Sequence, residues 1–392
     1  MRILKLKPRK DKRIRRGHPW IFSNEVASWG KGPMVPGEVV EVRDARDRFL
    51  ARGYCNKQSL IAVRVLSRRK KETVDHFDLA RRVQDAVAAR AGWLGEDSDA
   101  ARLVNGEGDQ LPGLVVDRYG DVLSVQLLTQ GMEALREPVL AALKEATGCA
   151  VIVERGDNRG RALEGLPTEK KVLEGELPER VEIRQDGLRF EVDVLGGQKT
   201  GFFLDQRRLR RHLRDLVKGK SVLDVFCYTG AASVYAAAAG ATKVTGVDSS
   251  LPALEAAERN MAANGLPEAE WIQGDAFGVL QSLEKEERQF DVVLLDPPPF
   301  APSKKDRSEA KIAHTRLHKL AMRVLKPGGL LVSSSCSFHI GSEELGASAA
   351  HAGVQAGRTL RLLEELGAGP DHPGVPGMPE SNYLTTLVMQ AS

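Results

Sequence analysis

Four aspartates in the C-terminal half of this chain have the spacing of a shared ligand site. Asp224 lies within a predicted strand, and Asp248, Asp275 and Asp296 follow the next three strands in turn. A single acid near a strand end is usually a helix cap or a surface residue, but four acids in chain order are much stronger evidence. Because one carboxylate accepts two hydrogen bonds at once, Asp248 could bind both hydroxyls of a ribose. The pattern therefore indicates a nucleoside-binding site.

The elements that must position these acids alternate between strand and helix from residue 220 onward. The predicted strands cover Ser221–Phe226, Lys243–Val247, Trp271–Gln273, Asp291–Leu295 and Leu330–Ser334, with helices at Ala231–Ala239, Leu254–Asn264 and Phe277–Lys285. This alternation predicts an α/β domain with a Rossmann-like parallel sheet, whose ligand binds at the carboxyl ends of the strands. The first strand-to-helix turn lacks the G-x-G-x-x-G pattern of a pyrophosphate binder, which argues against NAD or FAD.

The length of 392 residues and the changes of pattern along the chain predict three domains. Residues 1–70 contain short strands separated by Gly and Pro, as in a small β-barrel, and residues 71–195 have the mixed pattern of an α+β domain. Residues 196–392 would then form the Rossmann-like domain. We expect Trp20 and Phe22 to lie in the core of the barrel.

Composition argues against several classes of protein. No apolar stretch approaches the roughly 20 residues of a membrane span, and the charged N-terminus lacks the apolar run of a secretory signal. The four cysteines have no C-x-x-C spacing, and no His/Cys cluster resembles a zinc site. We therefore expect a cytoplasmic protein without membrane contact, disulfides or metal.

A basic segment at the N-terminus concentrates positive charge. Residues 1–16 contain nine Lys or Arg, among them Arg13, Arg15 and Arg16, against the single acid Asp11. Such a run is either a solvated tail or an arm that contacts nucleic-acid phosphates. Phosphate contacts of this kind would position a nucleic acid without reading its sequence.

Further cations lie at the start of the predicted Rossmann-like domain. Lys199 and Arg207 are either exposed ion-pair partners or contacts to RNA phosphate. The arginine-rich run 207–211 is compatible with a solvated helix face and with a face turned toward RNA.

Four motifs of the C-terminal half resemble the motif series of class I S-adenosylmethionine methyltransferases. They are Asp224-Val225-Phe226-Cys227-Tyr228-Thr229-Gly230, Val247-Asp248, Gly274-Asp275-Ala276 and Asp296-Pro297-Pro298. The resemblance implies that Asp224 and the loop 228–230 hold the methionine end of the cofactor. Asp248 would hold the ribose, and Asp275 the adenine amino group.

A segment upstream, 201–207, is similar to the one that closes over the cofactor in one branch of this superfamily. The complete cofactor-binding set that the resemblance implies is Phe203, Asp205, Gln206, Asp224, Phe226, Tyr228, Thr229, Gly230, Asp248, Ser249, Asp275, Ala276, Asp296 and Pro297.

Additional motifs resemble those of bacterial large-subunit ribosomal RNA cytosine-5 methyltransferases with a PUA domain. These are Gly17-His18-Pro19-Trp20, Glu107–Leu114, Gly197–Thr200, Asp296–Phe300, Ser335-Cys336-Ser337 and Pro379–Leu384. The similarity spans nearly the whole chain. It implies a PUA-like RNA-binding barrel, S-adenosyl-L-methionine as cofactor, and 23S ribosomal RNA or its large-subunit precursor as partner, with a homodimer left open.

Cys336 and Asp296 are the implied catalytic residues. Carbon 5 of cytosine is too weak a nucleophile to take a methyl group directly, so a thiolate must first add to carbon 6. Cys336 follows the fifth predicted strand and should project beside Asp296, whose carboxyl could hydrogen-bond or protonate ring nitrogen 3. The alternative for Cys336 is a small buried hydrophobic residue. Cys227 in the cofactor loop is a rival nucleophile, and Cys55 and Cys149 are interpreted as structural.

Two other functions are compatible with these motifs. Asp-Pro-Pro followed by an aromatic residue also occurs in enzymes that methylate base nitrogens, where Cys336 would be superfluous. A non-catalytic RNA-binding or assembly factor could retain the fold, although the intact acids argue against it. The chain departs from the family pattern at Pro299 and at Ala313-His314-Thr315, and both departures bear on substrate contacts near Phe300 and His314.

Overall fold

The computed structural model describes residues 1–72, 76–301 and 304–392. These residues divide into two compact units, each built from separate stretches of the chain. The first unit comprises Met1–Gly187, Val192–Leu204 and Pro370–Ser381, and the second comprises Leu188–Glu191, Asp205–Gly369 and Asn382–Ser392.

A six-stranded sheet and one short helix form the N-terminal part of the first unit. Their bounds are β1 (Arg2–Leu6), α1 (Lys12–Arg15), β2 (Trp20–Phe22), β3 (Val26–Ser28), β4 (Val39–Arg43), β5 (Phe49–Cys55) and β6 (Ile61–Ser67). The strand order is β2-β6-β5-β4-β1-β3. Leu4, Val40 and Val42 belong to its core. Trp20 and Phe22 are only half-buried, so the expectation that they lie in that core is wrong.

A five-stranded sheet with two long helices forms the middle part of the first unit. The bounds are α2 (His76–Ala89), β7 (Ala100–Asn105), β8 (Leu114–Tyr119), β9 (Val122–Leu127), α3 (Gln130–Ala134), α4 (Arg136–Thr147), β10 (Val151–Arg155), α5 (Arg159–Leu163), β11 (Lys170–Glu174) and β12 (Val181–Gln185). The strand order is β11-β10-β9-β8-β7. Leu79 and Val83 of α2 share one core with Val139 and Leu143 of α4, as expected for an α+β arrangement.

A segment from near the C-terminus, Pro370–Ser381, completes the first unit. The guanidinium of Arg90 donates to the carbonyl oxygen of Asp371 at 3.1 Å, and a carboxylate oxygen of the fully buried Asp371 accepts the backbone N–H of Arg102 at 3.2 Å. The imidazole of His18 lies 3.3 Å from the carboxylate of Glu380. The first unit is therefore complete only when this late segment is present.

The second unit contains a seven-stranded sheet covered by helices. After β13 (Leu188–Val192), whose first four residues belong here, its elements are α6 (Arg207–Leu216), β14 (Ser221–Val225), α7 (Ala231–Ala238), β15 (Lys243–Asp248), α8 (Leu251–Ala263), β16 (Glu270–Gln273), α9 (Ala276–Lys285), β17 (Phe290–Leu295), α10 (Arg307–Arg323), β18 (Leu325–Ser335), α11 (Ser342–Ala356), β19 (Leu360–Leu366) and β20 (Thr385–Ala391). The strand order is β16-β15-β14-β17-β18-β20-β19. Strands β14 to β18 pair in parallel, and β20 is antiparallel to both of its neighbours.

Both faces of this sheet are buried. Successive residues of a strand point to opposite faces, and the central strands are apolar at successive positions. Leu223 and Val293 face a core that contains side chains of α9, α10 and α11, whereas Val222 and Val292 face a core with side chains of α6 and α7. Apolar residues on both faces are typical of a parallel sheet between two helical layers. The predicted α/β class is confirmed. In the described ranges, no helix is long and apolar enough to cross a membrane.

Candidate active site

Four parallel strands bring the predicted acids to one edge of the seven-stranded sheet. β14 pairs in parallel with both β15 and β17, and β15 does so with β16. Asp224 is the penultimate residue of β14, Asp248 ends β15 and Asp296 directly follows β17. Asp275 follows β16 after one intervening glycine. The chain continues from β14 to β15 on one side and returns to β17 on the other, and ligands of such sheets bind in the crevice at this point.

The loop after β14 is held in a rare backbone conformation. Phe226, Tyr228 and Gly230 have φ angles of 67°, 50° and 70°, in the left-handed region that residues other than glycine seldom adopt. A Cβ on Gly230 would lie 2.7 Å from the Cβ of Ala257 and 3.0 Å from the ring of Trp271. Such outliers cluster at ligand sites, where the surrounding fold must enforce them.

Both carboxylate oxygens of Asp248 accept backbone hydrogen bonds. The N–H of Tyr228 donates to Oδ2 at 2.9 Å, and the N–H of Ser250 donates to Oδ1 at 3.0 Å. Each carboxylate oxygen has a second lone pair, so the fixed group can still accept two ligand hydroxyls. The carbonyl oxygen of the intervening Ser249 accepts the amide of Gln273 at 3.4 Å. This arrangement suits a ribose.

Asp275 caps the helix that follows it. Its Oδ2 accepts the N–H of Gly278 at 3.0 Å at the start of α9, and the next residue, Ala276, is buried. Asp275 is therefore a helix cap. It is also exposed, so the other lone pairs of its carboxylate can still accept a ligand amino group.

Asp224 is a buried acid with an altered pKa. It is 3% exposed, and the hydroxyl of Ser233 donates to its Oδ2 at 2.7 Å. Burial raises the pKa of Asp224 to about 7; the bonds from Ser233 oppose this shift, and the charges of Asp296 and Asp248 add to it. A cation beside this carboxyl would stabilise its ionised form. Asp224 is therefore a candidate partner for a cationic group of a ligand.

Asp296 lies at the junction of three chain segments. Its N–H donates to the carbonyl oxygen of Val225 at 3.3 Å, and its Oδ2 accepts the carboxamide of Gln206 at 2.8 Å. The Sγ of Cys336, directly after β18, lies 3.9 Å from the carbonyl oxygen of Pro297. The structure therefore brings Gln206, Asp296, Pro297 and Cys336 together in the second unit.

Cys336 is the most accessible of the four cysteines. Cys55, Cys149 and Cys227 are buried, whereas Cys336 is partly exposed. Burial raises the pKa of Cys55 to about 11, raises that of Cys149, and raises that of Cys227 well above its ordinary value. Since the thiolate is the nucleophilic form, the three buried thiols are poor candidates for attack on a substrate.

Aromatic rings pack beneath the segment that follows Asp-Pro-Pro. The ring of Phe300 meets the imidazole of His314 edge-on at 5.0 Å and lies 6.4 Å from the ring of Phe277. Burial lowers the pKa of His314 to about 4, so this imidazole is neutral near pH 7. The hydroxyl of Ser337 donates to the carbonyl oxygen of Ala301 at 2.9 Å. Both departures from the family pattern thus lie in or beside this segment.

The segment that precedes α6 is anchored by late parts of the chain. The carbonyl oxygen of Asp205 accepts the N–H of Gly369 at 3.0 Å, and its Oδ2 accepts the hydroxyl of Tyr383 at 2.8 Å. Phe203 belongs to the first unit, where the Nζ of Lys199 lies 4.4 Å from the centroid of its ring.

A family model agrees with this geometry. The model for S-adenosylmethionine-dependent methyltransferases matches residues 122–386, more than half of the chain. The chain belongs to this family. A model for a PUA-like domain matches residues 4–68. The expected PUA-like and Rossmann-like methyltransferase domains and the cofactor S-adenosylmethionine are therefore confirmed for this methyltransferase.

Curated relatives match this methyltransferase over nearly its full length. It is 40% identical over 390 residues to Ribosomal RNA large subunit methyltransferase I of Shewanella denitrificans, with 98% of each chain covered. It is 41% identical over 389 residues to the protein of the same name from Shewanella amazonensis, again with 98% of each chain covered.

Two solved structures share the fold of this methyltransferase. One is a candidate SAM-dependent methyltransferase from Streptococcus mutans, with a TM-score of 0.85, and the other is a candidate methyltransferase in complex with SAH, with a TM-score of 0.86. Each is 23% identical in sequence to this chain, and the match covers 100% of both chains. At this identity the likeness concerns the fold alone.

The basic N-terminal residues of this methyltransferase differ in their partners. Arg15 forms ion pairs with Asp11 at 2.6 Å and with Asp44 at 2.9 Å. The guanidinium of Arg13 lies 4.5 Å from the centroid of the half-buried Phe22 ring. Arg13 and Arg16 are exposed and line a surface cavity together with other basic side chains.

The other two basic residues expected to contact RNA also differ from each other. Lys199 is exposed, whereas Arg207 is fully buried at the start of α6. Arg207 is therefore neither an exposed ion-pair partner nor an exposed RNA contact, because α6 buries the side chains of Arg207, Arg210 and Leu213, which are spaced three residues apart. The exposed arginines of this run are Arg208 and Arg211.

Several residues of the site were not found from the sequence. Asn260, 1% exposed, donates its amide to the carbonyl oxygen of Thr229 at 2.9 Å and so supports the cofactor loop. Ser233 and Tyr383 bind the carboxylates of Asp224 and Asp205. Their residue types do not indicate these contacts, although Tyr383 lies within the motif Pro379–Leu384. Within the described ranges, no three His, Cys, Asp or Glu side chains form a group that could hold a metal ion.

Proposed function

We propose that this methyltransferase forms 5-methylcytosine in large-subunit ribosomal RNA through a covalent bond between Cys336 and carbon 6 of the target cytosine. One observation carries the proposal: Cys336 is partly exposed, and its Sγ lies 3.9 Å from the carbonyl oxygen of Pro297, the residue after Asp296. A thiol and a carboxyl at adjacent strand ends are the pair that methylation of carbon 5 requires.

The choice of RNA rests on different observations from the choice of reaction. The relatives that match 98% of the chain are named as methyltransferases of large-subunit ribosomal RNA, and the first 70 residues include a PUA-like domain. Arg13 and Arg16 expose their charge on that domain. In this proposal they contact RNA phosphates and position the substrate without reading its sequence.

The resemblance to class I methyltransferases assigns the residues that would hold S-adenosylmethionine, and their shared position at the sheet edge supports this assignment. Asp224 would pair with the ammonium group of its methionine end, beside the loop 228–230. Asp248 would accept the two ribose hydroxyls, and Asp275 the adenine amino group. When bound there, the cofactor supplies an electrophilic methyl group on a sulfonium sulfur.

The chain's own residues perform the remaining chemistry. The thiolate of Cys336 adds to carbon 6, and the electron pair released at carbon 5 forms the new carbon–methyl bond. Asp296, in its protonated form, donates a hydrogen bond to nitrogen 3 and so stabilises the negative charge that develops there. A base then removes the proton from carbon 5, the bond between carbon 6 and Sγ breaks, and Cys336 leaves as a thiolate with the aromatic ring restored.

Two alternatives predict different behaviour of Cys336. Methylation of a base nitrogen uses the lone pair of that nitrogen and needs no thiolate, so Cys336 would be dispensable. A non-catalytic RNA-binding factor would neither bind the cofactor tightly nor transfer its methyl group. The effect of replacing Cys336 therefore distinguishes cytosine-5 methylation from nitrogen methylation, and the absence of methyl transfer would identify a non-catalytic factor.

The deciding experiment uses large-subunit ribosomal RNA transcribed with 5-fluorocytidine. Fluorine in place of the carbon-5 proton blocks the last step, so the wild-type protein should remain bonded to RNA after denaturing electrophoresis when S-adenosylmethionine is present. Cys336→Ala should lose both the adduct and methylation of ordinary RNA. Cys149→Ala, which removes a buried thiol of the first unit, is the matched control and should retain both.

Mass spectrometry of the digested adduct should locate the RNA on the peptide that contains Cys336. If Cys336→Ala methylates ordinary RNA at a near-normal rate, the cytosine-5 mechanism is wrong and nitrogen methylation takes its place. If the wild-type protein binds the cofactor without methylating ribosomal RNA, the substrate is misassigned.

A further inference from the structure

Gln206 contacts the carboxylate that the proposed reaction uses. Its Nε2 lies 2.8 Å from Oδ2 of Asp296, and the residue is only 6% exposed. A carboxylate oxygen accepts hydrogen bonds, and of the two ends of a carboxamide only the nitrogen donates. The chemistry of the pair therefore fixes the orientation of the Gln206 amide, with N–H directed at Asp296.

The backbone around Gln206 is anchored on both sides. Asp205, 3% exposed, is bonded through its carbonyl oxygen to Gly369 and through its side chain to Tyr383. Arg207 begins α6, and its side chain is fully buried. A donor held in this way loses little conformational freedom when it binds, so the bond to Asp296 is preorganised.

We infer that Gln206 is a positioning residue for Asp296, which orients this carboxylate toward the target base. The inference rests on the proposed function and goes beyond the cofactor-binding role that family resemblance gives to Gln206. The amide N–H binds Oδ2 and so holds the plane of the Asp296 carboxyl in one orientation. In the proposed reaction the other oxygen, Oδ1, carries a proton and donates it to nitrogen 3, whose lone pair accepts it.

The consequence of this geometry is a separation of two measurable quantities. Loss of the Gln206 amide should impair formation of the bond between Cys336 and carbon 6, because Asp296 would no longer be oriented when the base arrives. Cofactor affinity should stay nearly constant, because Asp224, Asp248 and Asp275 remain unchanged. A cofactor-binding role of Gln206 would instead lower cofactor affinity and adduct formation together.

Two substitutions of Gln206 distinguish donation from shape. Gln206→Met keeps the length of the side chain and removes the donor. Gln206→Glu keeps the shape and places a carboxylate against the carboxylate of Asp296, which reverses the interaction. Gln390→Met is the matched control, since the amide of Gln390 bonds the carbonyl oxygen of Gly328 in the same unit, away from the strand ends that carry the acids.

The experiment measures the rate of adduct formation with 5-fluorocytidine RNA at saturating S-adenosylmethionine, and cofactor affinity by calorimetry. We expect Gln206→Met to slow adduct formation about tenfold, the effect of losing one buried hydrogen bond. Gln206→Glu should be slower still, and both variants should bind the cofactor within about twofold of wild type. Gln390→Met should match wild type in both measurements.

Each outcome separates this inference from the proposed function. If wild type forms the adduct and both Gln206 variants form it at the same rate, Gln206 does not position Asp296, but the cytosine-5 mechanism stands. If cofactor affinity and the rate of adduct formation fall together, Gln206 is a cofactor-binding residue and the inference fails. If Gln206→Glu equals wild type while Gln206→Met is slow, shape and not donation is what matters, and the inference fails. If wild type forms no adduct, the proposed function itself has failed.

Discussion

Replacing Asp224 with Asn should change how the stability of the protein depends on pH. The pKa of Asp224 is raised from 3.8 to about 7, chiefly by burial. Asn has nearly the shape of a protonated carboxyl and cannot ionise. Its amide oxygen can still accept the hydroxyl of Ser233, which donates to Asp224 at 2.7 Å. The substitution therefore isolates the titration of one carboxyl.

The sign and size of the effect follow from proton linkage. Between pH 3.8 and about 7 the folded protein retains a proton on Asp224 that the unfolded chain has lost, so the free energy of unfolding falls as the pH rises. A rise of roughly 3 pKa units corresponds to a loss on the order of 4 kcal/mol. Asp224→Asn does not lose this free energy of unfolding, because its side chain cannot ionise. Relative to wild type, it should gain roughly 2–3 kcal/mol of stability between pH 5 and pH 8.

Urea unfolding of both proteins at several pH values between 5 and 8 measures this difference. Trp271 is the tryptophan that reports on the second unit, because Trp20, Trp29 and Trp93 lie in the first. Replacing those three tryptophans with Phe in both proteins lets fluorescence follow the unit that contains Asp224.

A stability difference that does not depend on pH would contradict this expectation. If the stability difference between Asp224→Asn and wild type stays constant from pH 5 to pH 8, then the folded protein does not hold a proton on Asp224 in that range. Burial at the end of β14 would then not raise the pKa of this carboxyl. The fit to a cationic ligand group would lose its main support.

The remaining predictions concern the cofactor and the RNA. Asp248→Asn should weaken S-adenosylmethionine binding by at least about tenfold, because hydrogen bonds to a charged group contribute roughly 1.5–3 kcal/mol each and the carboxylate would accept two from the ribose. Calorimetry on the folded variant checks this, and unchanged affinity would contradict the ribose assignment. Joint reversal of Arg13 and Arg16 to Glu should weaken RNA binding and reduce the slope of log affinity against log salt by about two units. If filter binding shows the same dependence of affinity on salt for the variant and wild type, the basic segment is a solvated tail that does not contact RNA.

The sheet edge could be predicted because its signals are local. Each strand is a short apolar run with an acid within two residues of its carboxyl end, so the positions of Asp224, Asp248 and Asp296 can be read from the sequence alone. The parallel pairing then brings them together without further information. The placement of Cys336 beside Pro297 follows from the same reasoning, since β17 and β18 are adjacent.

The supporting contacts could not be predicted, because they join residues far apart in sequence. Asp205 and Tyr383 are separated by 178 positions, and Arg90 and Asp371 by 281. The prediction that Arg207 lies at the surface was wrong for a different reason. A run of arginines was expected at the surface on grounds of charge, but the helical period of α6 turns two of them inward. Composition could not indicate which face of that helix is buried.

The segment Pro370–Ser381 also has a consequence for how the protein is made. Domains usually fold as units during synthesis, N-terminal first, as the chain emerges at about 5–20 residues per second. The first unit cannot follow that order, because Asp371 reaches Arg90 and Arg102 only after most of the second unit has been translated. The hydrogen bonds that join Asp371 to Arg90 and Arg102 therefore form only late in translation. A nascent chain stalled before Pro370 should be more sensitive to proteases in its first unit than the finished protein, although every strand of that unit has already left the ribosome.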